Sequence, residues 1–180
     1  MGNTENAINY YKKAIALSKD NIEAYNNIGN IFREIGDHGQ AIIHLKKAID
    51  LDSTFTEGHY NLALTYSKNN DYKNAAFYYN KTIEINPNFF AAYNNLGVIY
   101  KNDHDIKTAF QYFKKAISIN PKYLDAYLNL GDIYLLYDNT DEAFRNFKII
   151  LNIILLYVCT NILQVKCLII PHILIFYPKI

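Results

Sequence analysis

Apolar and polar residues along this chain follow two nested periods. Locally the apolar positions fall three or four apart, and the whole pattern recurs every 34 residues from residue 22 onward, without insertion or deletion. Each copy can be numbered from Ile22, Thr56, Phe90 and Leu124. Position 4 is then Tyr25, His59, Tyr93 and Tyr127, position 7 is Ile28, Leu62, Leu96 and Leu130, and position 8 is Gly29, Ala63, Gly97 and Gly131. Position 11 is Phe32, Tyr66, Tyr100 and Tyr134. A second stripe follows: Ala41, Ala75, Ala109 and Ala143 at position 20, and Leu45, Tyr79, Phe113 and Phe147 at position 24. It continues with Ala48, Thr82 and Ala116 at position 27 and Leu51, Ile85 and Ile119 at position 30. This spacing predicts two helices per copy, each with one buried face. Small residues at 8, 20 and 27 let the paired helices approach, and aromatic rings at 4, 11 and 24 fill the space between them.

The punctuation agrees. Gly36-Asp37, Asn70-Asp71, His104-Asp105 and Asp138-Asn139 combine breakers with N-cap residues between the two stripes. Pro87 and Pro121 follow the second stripe, where a helix has to stop. A hairpin of this size cannot bury its stripes alone, so the expected fold class is all-α, a right-handed solenoid of stacked helix-turn-helix units. Upstream, Ala7, Tyr11, Ala14 and Leu17 match positions 20, 24, 27 and 30. Residues 1–21 therefore read as a half-unit whose first helix would precede Met1, leaving the stripe of Ile8, Tyr11 and Ile15 in need of a cover. The expected divisions are this half-unit, copies at 22–55, 56–89, 90–123 and 124–153, and an apolar tail at 154–180.

The tail departs from the pattern. Residues 149–180 hold 23 apolar residues in 32, no acid, and only Lys166 and Lys179 as charges. The stretch from Ile149 to Val165 is free of charge, about the shortest helix that crosses a bilayer, roughly 17 residues. Three readings stand: a membrane anchor, a buried capping helix, or sequence with no selected role, such as a translated intron. Asn152, Thr160, Asn161, Gln164 and Pro171 weigh against the anchor. An apolar surface all round weighs against the cap.

The order aromatic–Leu–Gly–Tyr…Ala…Phe…Pro, agreeing at seven or eight positions in four copies, resembles the tetratricopeptide repeat (TPR). The likeness covers about 150 of the 180 residues, with Tyr or His standing where Trp is usual. It implies that the first helix of each copy lines a concave groove, with positions 2, 5, 6, 9, 12 and 13 facing it.

Composition narrows the function. Eighteen basic and 17 acidic residues give a net charge of +1, which makes no electrostatic case for nucleic acid. Lys12-Lys13, Lys46-Lys47 and Lys114-Lys115 read as a solvated outer face. Cys159 and Cys167 lie outside the repeats and form no metal-binding motif. His38, His44, His59, His104 and His172 occupy different positions, without metal-ligand spacing. Gly29, Gly36 and Gly39 lack a phosphate-loop context, and Ser67 and Ser118 lack His or Asp companions. No secretory signal opens at Met1, and Asn6 spoils a myristoylation motif. The expectation is a non-enzymatic protein without metal or cofactor, intracellular in the cytoplasm or nucleus, or else held to a membrane by residues 149–180.

The candidate binding residues come from the implied groove. Position 6 is Asn27, Asn61, Asn95 and Asn129, four identical amides on one face, and Asn26, Asn30 and Asn94 widen the track. An amide offers two donors and an acceptor, so such a row can hold the backbone of an extended peptide whatever its side chains. Glu23, Glu57, Ala91 and Asp125 at position 2 argue against the carboxylate clamps by which some repeat proteins hold chaperone tails. The asparagine row also resembles the substrate-recruiting superhelix of O-linked N-acetylglucosamine transferases and Spindly-type protein O-fucosyltransferases. That likeness implies the recruiting part of a longer enzyme. The expected function is a protein–protein interaction scaffold that binds an extended peptide or a partner helix in its groove. The alternative is a substrate-selecting fragment of a protein O-glycosyltransferase.

Overall fold

The computed structural model describes residues 2–176, with side chains over residues 4–159. Among the described residues all regular structure is helical: α1 (Gly2–Leu17), α2 (Ile22–Glu34), α3 (His38–Leu51), α4 (Thr56–Lys68), α5 (Tyr72–Ile85), α6 (Phe90–Asn102), α7 (Ile106–Ile119), α8 (Leu124–Leu136) and α9 (Thr140–Phe176). Helices α2, α4, α6 and α8 start 34 residues apart, as do α3, α5, α7 and α9. The sequence period is thus the structural period, and the fold is an all-α helix-turn-helix solenoid.

One dipeptide per copy both ends the first helix and starts the second. Position 15 takes the left-handed conformation in all four copies: Gly36 at φ 85°, Asn70 at 59°, His104 at 62° and Asp138 at 54°. Glycine, or a short polar residue, meets that need at least cost. The next N–H then turns back to the position-11 carbonyl, from Asp37 to Phe32, Asp71 to Tyr66, Asp105 to Tyr100 and Asn139 to Tyr134, each at 2.9 Å. The same residue caps the following helix. Asp37, Asp71, Asp105 and Asn139 accept the backbone N–H of Gln40, Asn74, Thr108 and Glu142 through their side-chain oxygens.

The links between copies use a second device. Asp52, Asn86 and Asn120, at position 31, accept the N–H two residues on through their side chains, which turns the chain out of the helix. Ile154 stands at that position in the last copy and offers no oxygen. Without the turn α9 continues unbroken to Phe176.

The chain divides into two compact units, Met1–Ile119 and Asn120–Ile180. In the first, Leu45, Leu62, Ala63, Tyr66, Ala75, Tyr79, Ala92 and Leu96 form a continuous buried cluster drawn from α3, α4, α5 and α6. The small positions matter here. A Cβ added at Gly29 would lie 2.6 Å from Leu45 Cγ, and one at Gly97 would lie 2.6 Å from the Phe113 ring, so position 8 is where paired helices touch. In the second unit α8 packs on α9 through Leu130, Ile133 and Ala143, and Gly131 meets Phe147 in the same way. Further along α9, Leu151, Leu155, Leu156 and Tyr157 are exposed. Lys122, Leu124, Ile153, Ile154, Leu156 and Tyr157 line a cavity of about 540 Å³ between that stretch and the start of α8.

Among the described residues no helix is long and apolar enough to cross a membrane. The anchor, cap and unselected readings of the tail turn mainly on residues 160–180, whose side chains lie outside the described ones.

Candidate functional site

The first unit aligns asparagines of its first helices through bonds between successive copies. The Asn61 Nδ2 on α4 donates to Asn26 Oδ1 on α2 at 2.9 Å. The Asn95 Nδ2 on α6 donates to the Tyr60 hydroxyl on α4 at 3.2 Å. Both bonds run from position 6 of one copy to position 5 of the copy before, and both join residues 35 apart. Position 6 therefore stitches neighbouring first helices together, and this fixes the rotamers of the amides it presents.

The amides differ in what they have left to offer. Asn95 is fully engaged, because its Nδ2 also lies 3.1 Å from the Tyr79 hydroxyl and its Oδ1 accepts from Asn94 at 3.4 Å. Asn61 accepts Arg33 Nη1 at 3.2 Å on its Oδ1 and keeps one N–H unused. Asn27, half-buried on α2, has no hydrogen-bond partner among the described residues. The Asn30 Oδ1, one turn further along α2, is buried and unpaired. Asn26 and Asn94 are themselves buried. Asn129, the equivalent residue of the second unit, is half-buried on α8. Asn61 and Asn95 are thus locked by neighbouring copies, and open capacity remains at Asn27 and at one N–H of Asn61.

Three participants are absent from the sequence-based set. Tyr79 sends its hydroxyl through the helix pair from position 24, where the other copies carry Leu45, Phe113 and Phe147. Burial pushes its pKa far up, so it stays neutral, and Asn95 and Ser67 bond its oxygen. Arg33, at position 12, is half-buried beside Tyr60 and Tyr79, and that burial lowers its pKa. Tyr60 replaces the Asn or Leu found at position 5 elsewhere. These departures from the repeat were visible in the sequence as odd residues at regular positions. Their convergence was not.

Aromatic triads join positions 4, 11 and 23 in the first three copies. His44, Tyr78 and Tyr112 at position 23 sit between the rings at positions 4 and 11. Tyr78 stacks on Tyr66 at 5.6 Å and 6°, and Tyr112 stacks on Tyr100 at 5.4 Å and 9°. His44 lies 5.3 Å from Phe32 and 6.4 Å from Tyr25. His59, as expected, packs in the aromatic place, and its Nε2 donates to the Ser53 carbonyl at 2.9 Å. The equivalent Tyr127 hydroxyl donates to the Pro121 carbonyl. A cavity of about 360 Å³ between α5 and α6, beside Tyr72, Ile99 and Tyr100, includes none of the predicted asparagines. Among the described residues no cluster of three His, Cys, Asp or Glu side chains could hold a metal ion.

Comparison with known proteins agrees with the repeat fold. Profiles described as tetratricopeptide repeat match residues 56–89 and 90–123, and 112–145. A profile described as TPR repeat matches 1–32 and 29–70. Among solved structures, a crystal structure of MamA is 30% identical, with 84% of this chain and 89% of that one aligned at a TM-score of 0.74. MamA from Desulfovibrio magneticus RS-1, 22% identical over 84% and 86% of the two chains at 0.73, shares the fold. So does pilF of Pseudomonas aeruginosa, 23% identical over 73% of this chain and 60% of that one at 0.66. No curated protein sequence matches the chain.

Proposed function

We propose, starting from the fact that this chain belongs to the tetratricopeptide-repeat family, that it is an interaction scaffold whose inner face captures an extended peptide of a partner protein. The locked asparagine row carries the reading. An amide held at a fixed rotamer by the neighbouring copy, as Asn61 is, loses little entropy on binding, and preorganisation of this kind strengthens association. Asn27 supplies donors and an acceptor to the peptide backbone, and Asn61 one N–H. Asn26, Asn94 and Asn95 hold the row in place, and Asn129 occupies the equivalent repeat position on α8 in the second unit. The fold likeness to MamA and pilF supports a scaffold in general terms. A substrate-recruiting region of a protein O-glycosyltransferase would use the same face, and no observation favours it separately.

The test separates grip from support. Asn27→Ala removes an amide that bonds nothing among the described residues, so it should weaken capture of extended, end-blocked peptides on an array and leave the thermal midpoint unchanged. Asn95→Ala should lower both, because it breaks bonds to Tyr60 and Tyr79. Full peptide capture by a combined Asn27, Asn61, Asn95 and Asn129 to Ala variant that remains helical would overturn the reading.

A further inference from the structure

We infer that Arg33 anchors an acidic side chain of the bound peptide and so sets the peptide's register. This rests on the groove reading above.

Burying a guanidinium is costly unless something pairs with it. Arg33 is half-buried, and its one hydrogen bond among the described residues goes to the neutral Asn61 Oδ1, 3.2 Å away. The two phenols beside it, Tyr60 and Tyr79, do not balance its charge: Tyr79 is buried and stays neutral. Glu34, next along the helix, is exposed; its charge partly offsets the burial of Arg33, but it forms no ion pair with the guanidinium. A planar fork of five N–H groups that spends one on an amide retains the geometry to take a carboxylate in two parallel bonds.

Asn30 lies three residues before Arg33 and therefore on the same helix face, with Cβ atoms roughly 5–6 Å apart. Its Oδ1 is closed off from solvent, so the contact offered to a peptide at this place is the Arg33 fork. The pair occurs once in the described unit. Position 9 is Leu64 and Val98 in the next two copies, and position 12 is Ser67 and Lys101. Glu23 and Glu57, exposed at position 2, disfavour acids elsewhere along the inner face. A single acid accepted at one place fixes where the peptide sits.

The full chain should be tested on an array of twelve-residue peptides with blocked ends and a central Glu, Gln, Lys or Ala. Glu-centred peptides should bind roughly tenfold tighter than their Gln counterparts. The preference should vanish in Arg33→Gln, which must still bind the Gln-centred set, and should be partial in Arg33→Lys, which keeps the charge without the fork. A free C-terminal carboxylate on an Ala-centred peptide should give no such gain; if it does, Arg33 reads chain ends and the inference falls. Equal capture of Glu- and Gln-centred peptides by the native chain also removes it, while leaving the groove reading intact. Capture of no peptide overturns both.

Discussion

At the scale of single residues, the most instructive position is the turn that ends one helix and caps the next. Asp71 accepts both the Asn74 side chain, at 2.7 Å, and its backbone N–H, at 3.1 Å. Those bonds, the side-chain one first, hold its pKa below the ordinary carboxylate value. A carboxylate depressed in the folded state adds stability above its unfolded pKa and loses it as the pH falls through the folded value. Asp71→Ala should therefore cost about 1 kcal/mol near neutral pH, the usual loss on deleting an N-cap. Asp71→Asn should keep most of the cap and flatten this part of the acid dependence, since Asn139 already performs the same task in the fourth copy. Urea titrations of the three proteins between pH 3 and 7, roughly the range over which Asp titrates, would show the difference. Parallel pH curves for wild type and Asp71→Asn would contradict it. These turn residues were legible in the sequence, because αL and N-cap preferences act locally. The bonds of Asn61 and Asn95 were not, because they depend on how one first helix is rotated against the one before.

At the scale of helices, the stripes at positions 7, 8, 20, 24 and 27 could be read directly, since burial there follows the 34-residue period with Phe147 half-buried, whereas positions 4 and 11 are buried at His59, Tyr127 and Tyr66 and half-buried in the other copies. Position 23 escaped, although His44, Tyr78 and Tyr112 recur there. It lies just beside the position-24 core residue, and the fourth copy breaks the series with Asn146. That residue is buried and donates to the Glu142 carbonyl at 2.7 Å. The end of α9 escaped for a related reason: the sequence shows what replaces Asp52, Asn86 and Asn120, but only the structure shows the helix running through. Each aromatic pair contributes about 0.5–1.5 kcal/mol beyond its burial. Tyr112→Leu, which removes ring contacts to both Tyr93 and Tyr100, should thus lower the thermal midpoint by several degrees. Asn146→Tyr should raise it by placing a ring between Tyr127 and Tyr134. A fall in midpoint for Asn146→Tyr would mean that the Asn146 bond to Glu142, not the missing ring, is what the fourth copy needs.

At the scale of the whole molecule, stability in an array is the sum of what each helix pair holds and what it shares with its neighbours. That sum is uneven here. Helices α3, α4, α5 and α6 share one buried cluster, whereas α1 leaves Tyr10 70% and Leu17 91% exposed. Amide exchange reports this gradient directly, since local openings with little buried surface need little free energy. Deuterium uptake should be slowest in α4, α5 and α6 and much faster in α1. Arg33, Asn61 and Asn95 flank or sit on the slow helices, so the inner-face amides belong to the stiffest part of the first unit. Rigidity at that place is what the proposed capture requires: a floppy row would lose on ordering what it gained in hydrogen bonds. Uniform exchange from α1 to α7 would show that the unit opens as one body, and the claim that the groove is held stiffer than its margin would fail.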